Sequence, residues 1–291
     1  MKKLLACFAI IAVSAATFES GLRVKFGVGL NPGKDYNFDT PRTVSKALEM
    51  SWTKLKRPVS PLPKLIMYCE DTRILCCLYD PDTEYIAGVQ VGLPLDKFTG
   101  FPFDYTVQGF FPWTTTAVNG TTLTVMTKQL YFISEETLAK PKEVRMKAAQ
   151  ENKIIQEDKV WPVGFHQKRM AVSTNVAGIV KDGFTKQNCI PFMGTHYFYN
   201  MTTQTECKSD TLANWFLLVD GDQLIGVGFL VIGVVPEIPE EKFYFERPSK
   251  QNLKVIVKDC PDCFADLAEN PTGTTMHIFL IEKPWRVGCW F

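Results

Sequence analysis

Histidine is nearly missing from this chain, with three in 291 residues. An excess of one charge is missing too, since 32 basic residues face 31 acidic ones. Without a basic run there is no electrostatic footprint for nucleic acid or an anionic membrane surface. H-E-x-x-H, G-x-S-x-G and a phosphate-binding loop do not occur, which removes the motif case for a zincin, an α/β-hydrolase or a P-loop enzyme. Gly27-Val28-Gly29 followed by Gly33 is one residue too widely spaced for a dinucleotide fingerprint, and Pro32 precedes the last glycine. No apolar run reaches the roughly 20 residues that span a bilayer. The best candidate, Leu224 to Val235, is broken by Gly226, Gly228 and Gly233. Internal repeats and low-complexity tracts are absent as well.

What the chain does have is a hydrophobic fraction of 46% and an aromatic fraction of 12%, the composition of a globular protein rather than a disordered or coiled-coil one. Residues 1–16 read as an export signal: Lys2 and Lys3, an apolar stretch from Leu4 to Val13, then the small residues Ser14, Ala15 and Ala16. Cleavage there removes Cys7, one of nine cysteines, and leaves eight. An even number in an oxidising compartment predicts four disulfides among Cys69, Cys76, Cys77, Cys189, Cys207, Cys260, Cys263 and Cys289. Asn119-Gly120-Thr121 and Asn200-Met201-Thr202 are acceptor sequons for N-glycans, which fits the same address. The reading is a secreted, extracellular glycoprotein without a membrane span.

Along the chain, residues 20–39 lack periodicity and read as irregular. Thr40 and Pro41 then open a helix whose face is Val44, Ala47, Leu48, Ser51, Trp52 and Leu55, stopped by Pro58. From Leu65 the pattern turns to strands, at Leu65–Cys69, Arg73–Leu78, Glu84–Gly92, 105–111 and 121–133, with Asn119-Gly120 as a hairpin signal. Ser134, Glu135 and Glu136 start a polar helical connector over 135–160. Further strands are expected at 168–181, 195–200, 213–219, 223–235, Leu253–Lys258 and Thr274–Glu282, with a turn at Val219-Asp220-Gly221-Asp222. The fold class is therefore mainly β, an antiparallel sandwich or barrel-like arrangement with one N-terminal amphipathic helix and a short mid-chain helix. A β-rich half at 17–134 and another at 161–291 flank the connector. Each half holds an odd number of cysteines, three and five, so if all eight pair, at least one bridge joins the halves. Neighbours Cys76 and Cys77 point to opposite faces of a strand and must find different partners.

Three constellations carry possible chemistry. Cys260-Pro261-Asp262-Cys263 has the spacing of thiol oxidoreductases, but no long helix pattern follows and the βαβ order is missing, so a structural role is the better reading. Seven aromatic rings fall between Phe98 and Trp113. Core packing is their ordinary role; the functional one is an apolar lumen or stacking surface, contacted by Phe101, Phe103 and Tyr105 on one strand face. His166, His196 and His277, if they converge, would form an open site for zinc or copper.

The segment Cys189-Ile190-Pro191-Phe192-Met193-Gly194-Thr195-His196-Tyr197 resembles one found in uncharacterised secreted proteins of invertebrates, and Asp82 to Gln90 is similar to another stretch of them. The resemblance implies secretion and transfers no activity. The sequence thus points to a secreted, disulfide-stabilised protein with a binding or structural role toward an apolar ligand, a glycan or extracellular matrix. A metal-dependent enzyme or metal carrier using the three histidines is the alternative.

Overall fold

A computed structural model describes residues 19–25, 36–235 and 244–289. The export signal and the glycines at 27–33 lie outside them. Numbering strands along the chain, a seven-stranded antiparallel sheet runs β11 (Phe184–Ile190), β12 (Gly194–Tyr199), β13 (Trp215–Asp220), β14 (Gln223–Ile232), β15 (Gly273–Ile281), β1 (Ser20–Lys25) and β2 (Asn37–Asp39). An eight-stranded antiparallel sheet runs β10 (Val172–Ser173), β9 (Lys159–Pro162), β8 (Thr122–Tyr131), β6 (Ile86–Pro94), β5 (Leu75–Tyr79), β4 (Ile66–Cys69) and β3 (Thr53–Leu55). In it β7 (Phe111–Thr116) also pairs with β8. The result is a sandwich, not a closed barrel.

Strand alternation sorts the core into three layers. In β5, Leu75, Cys77 and Tyr79 face a central core shared with Leu22, Val227 and Ile278 of the other sheet. Cys76 and Leu78 face outward, with Cys69, Trp113 and Trp161. The seven-stranded sheet also buries its outer face, where Phe198, Phe216, Leu218 and Phe279 meet Leu253, Val257 and Phe264 from a helical cover. Strands covered on both sides are buried throughout, as β5 and β15 are, and β5 accordingly reads as a continuous hydrophobic run.

The halves exchange strands. β1 from the N-terminal half pairs with β15, while β9 and β10, which follow the connector helices α2 (Glu135–Leu138) and α3 (Lys142–Gln150), extend the eight-stranded sheet. The expected covalent clamp between halves is not found. Cys69–Cys76, Cys189–Cys289 and Cys207–Cys263 each lie within one half, and Cys77 and Cys260 are free thiols. The four-bridge expectation fails because its premise, that all eight cysteines pair, fails. Cys77 points into the central core, where it is the single cysteine among the described residues, while its neighbour Cys76 bonds to Cys69 directly across β4 and β5.

Local corrections have local causes. The first helix, α1, covers only Val44–Glu49, capped by Thr43, whose side chain accepts from the Lys46 amide. Ser51 at φ 61° ends it in a Schellman turn, with Trp52 N–H donating to Ala47 O at 2.9 Å. Trp52 and Leu55, which extend the helical period, belong to the following turn and β3. The strand expected at 105–111 is a run of turns leading into β7. The one expected at 168–181 splits into β10 and a helix, α4 (Val176–Lys181), capped by Asn175. Leu253–Lys258 is not a strand either. Ser249 caps a helix, α5 (Lys250–Ile256), which buries Leu253 and leaves Val255 61% exposed. A second helix, Asp262–Leu267, completes the cover on the outer face of the seven-stranded sheet.

Candidate functional site

Across the outer face of the seven-stranded sheet runs one line of opposed residues: Phe198, Phe216, Gly228, His277 and Lys25. The glycine decides the geometry of the row. A Cβ at position 228 would sit 1.9 Å from the nearest Phe216 ring atom, so the ring lies over the bare glycine backbone. From there Phe216 stacks on Phe198 at 5.0 Å and on His196 at 5.5 Å, and meets His277 edge-on at 5.4 Å between centroids. The two imidazoles stand 6.0 Å apart, nearly perpendicular.

This aromatic floor bounds a cavity of about 210 Å³. Ile190 and Met193, on either side of the β11–β12 turn, form one wall; Leu253 and Ile256 of α5 form the roof. Two disulfides brace it. Cys189–Cys289 fixes the strand end beside Ile190, and Cys207–Cys263 fixes the helical cover.

A buried charged chain closes the floor at one end. Two backbone hydrogen bonds with Thr275 (2.6 and 2.8 Å) fasten Glu246 to β15. Its Oε1 lies 2.7 Å from Lys25 Nζ and 3.2 Å from His277 Nδ1. Burial opposes the Glu246 charge, but the His277 and Lys25 contacts outweigh it and hold the carboxyl below its ordinary range. Burial first, and then His277, push the His196 imidazole down to about 3, so it is neutral at physiological pH. Its Nδ1 faces the Gly194 carbonyl at 3.2 Å, which assigns the hydrogen to that nitrogen. Nε2 is left as a buried acceptor without a partner.

Two of the three histidines named from the sequence therefore meet, and the third does not. His166 sits exposed in a one-turn segment at Phe165–Gln167 with φ 52° and does not line the cavity. Among the described residues no group of three or more His, Cys, Asp or Glu is placed to hold a metal ion. The carboxylate nearest the histidine pair is already matched by the Lys25 ammonium, a cation standing where a zinc or copper ion would need the charge. The three-histidine site is thus corrected to a histidine pair beside an ion pair.

The other candidates also move. Phe101 and Phe103 lie in irregular chain and Tyr105 in a turn, none of them on a strand, and none lines the cavity. Phe101 stacks on Tyr105 at 4.3 Å, and both pack on Phe110, which reaches the core at Phe229. All three side chains are half-buried, and Phe103 meets Phe101 edge-on at 5.8 Å. The C-x-x-C cysteines do not bond to each other, since Cys263 is held by Cys207. Burial pushes the Cys260 thiol up to about 11, the opposite of an activated thiolate. Asn119 and Asn200 are both exposed, Asn119 at the β7–β8 hairpin tip, where Oδ1 accepts from the Thr121 amide and hydroxyl.

No family model, curated protein or solved structure matches the chain.

Lys25 and Glu246 are the functional residues that sequence reasoning missed. Leu22-Arg23-Val24-Lys25 alternates in the strand period, with Leu22 and Val24 in the central core. That signal was available for β1. Glu246 carries none, because a single bridge to Thr275 holds it outside any regular element.

Proposed function

We propose that the protein is a secreted, disulfide-stabilised binder of a small apolar molecule, which it holds between the aromatic floor of the seven-stranded sheet and α5. One observation carries this: a half-open cavity of about 210 Å³ lined by Phe198, Phe216, Met193, Leu253 and Ile256. A cavity of about 150 Å³ is enough to hold benzene, so this one suits a single ring or a short branched chain. The exposed Val255 and Asn252 beside it place the opening at α5. Bridges at Cys189 and Cys207 support the reading, because a preorganised wall lowers the ordering cost of binding. The N-terminal export pattern, the three disulfides and the resemblance of the Cys189–Tyr197 segment to secreted proteins support the address.

Calorimetry and ligand-observed NMR with toluene test the site. Wild type binds it with a stoichiometry of one. An Ile256→Trp variant, which fills the space from a half-buried helix position, loses the signal while keeping its circular dichroism. Toluene binding that Ile256→Trp leaves unchanged, or no binding to wild type, overturns the proposal.

A further inference from the structure

We infer that the cavity selects a neutral ring bearing one hydrogen-bond donor, an O–H or N–H group, and that the second oxygen of the Glu246 carboxylate receives it. This rests on the cavity being a binding site and adds the ligand class. Glu246 lines the cavity while only 6% exposed. Both of its side-chain contacts go to one oxygen: Oε1 lies 2.7 Å from Lys25 Nζ and 3.2 Å from His277 Nδ1. Oε2 makes neither contact nor any other hydrogen bond among the described residues, and it is not one of the polar atoms sealed from solvent. A carboxylate has about four acceptor sites, so the pairing at Oε1 leaves capacity at Oε2. The backbone bonds to Thr275 and the Lys25 contact already hold the group at the cavity, so no side chain has to move to present it.

The charges around that oxygen decide which donor fits. His277 and Lys25 keep Glu246 ionised, so it repels a ligand carboxylate. A ligand ammonium would bring a second cation onto a carboxylate that Lys25 already matches, with Arg247 also lining the chamber. A neutral hydroxyl or N–H meets neither penalty. It forms a charge-assisted hydrogen bond, about twice as strong as one between neutral groups. A hydrocarbon fills the space over Phe216 but strips water from Oε2 and gives nothing back.

Toluene and phenol differ by a methyl against a hydroxyl at nearly the same volume, so their Kd ratio isolates the acceptor. Wild type binds phenol about tenfold more tightly than toluene, and binds benzoate and benzylammonium more weakly than phenol. The double variant Lys25→Met, Glu246→Leu removes both charges together, which a buried pair tolerates better than the loss of one partner. It still binds toluene, and its ratio falls about tenfold. In wild type, where no variant has to fold, the Glu246 carboxyl ¹³C resonance shifts on adding phenol and stays in place on adding toluene. Equal affinity for toluene and phenol in wild type, a ratio that the double variant keeps, or a ¹³C resonance indifferent to phenol overturns the inference and leaves the cavity standing. So does a preference for benzylammonium, which would make Glu246 a cation site, or for benzoate, which would identify Arg247 as the recognising group. Failure of all four compounds to bind wild type removes the binding site itself, and the inference with it.

Discussion

Replacing His196 by Phe changes how the protein responds to acid, and the size of the effect follows from burial. In the folded chain the imidazole is held neutral down to about 3. In the unfolded chain a histidine titrates near 6.5. Between those values the unfolded state binds a proton that the folded state refuses, so stability falls as the pH falls, by about 1.4 kcal/mol per unit. From about pH 7 to about pH 4.5 the loss is about 2–3 kcal/mol. Glu246 acts in a different window. Its folded value is depressed, so its contribution is complete above the ordinary carboxylate range and is lost as the pH drops through the lowered one. Phenylalanine keeps the stack on Phe216 and removes the proton site. Guanidinium unfolding followed by tryptophan fluorescence, with the disulfides intact, should show wild type losing about 2–3 kcal/mol more than His196→Phe over that range. The gap at neutral pH is immaterial, since the variant also forgoes the Gly194 hydrogen bond. Two proteins losing stability in parallel would refute the reasoning, because His196 would then be solvated.

Three further outcomes can be measured. Gly228→Val places carbon where the Phe216 ring lies, so it should lower stability by about 1–3 kcal/mol and abolish toluene binding by tilting the floor. Alkylation of the chain lacking residues 1–16, denatured but not reduced, should add two groups, at Cys77 and Cys260; in the native state Cys260 reacts and buried Cys77 is protected, and a count of zero would restore the fourth bridge. Cleavage within the connector should give fragments that stay associated in native buffer through the β1–β15 pairing, then separate on a non-reducing denaturing gel.

Much of the fold was legible because one property, alternation with turn chemistry, writes directly into sequence. Asn119-Gly120 and Asp220-Gly221 marked hairpins, and both glycines do adopt positive φ, at 85° and 58°. Ser134 marked the mid-chain helix and does cap it, accepting from the Thr137 amide at 2.9 Å. Elements failed where a local cap or turn overrode a period. Leu253, Val255 and Val257 alternate as a strand would, yet Ser249 starts a helix and turns Val255 to solvent. Ser51 ended α1 in a left-handed conformation usually marked by glycine, so nothing in the sequence announced the stop.

The site was harder to read for a different reason. Its members come from β12, β13, β14, β15, β1 and an irregular segment, and what unites them is register. Phe216, Gly228, His277 and Lys25 occupy one row only because β13, β14, β15 and β1 pair as they do, and β1 reaches β15 from the far end of the chain. A shift of one residue in the β14–β15 pairing would leave Phe216 over Gly228 but set another residue in place of His277 and turn that imidazole to the opposite face. Gly228 itself read as a flaw in an apolar run, a reason to reject a membrane span. In the folded sheet the same missing side chain lets Phe216 lie against both imidazoles, so the feature that argued against one environment is the one that makes the cavity floor.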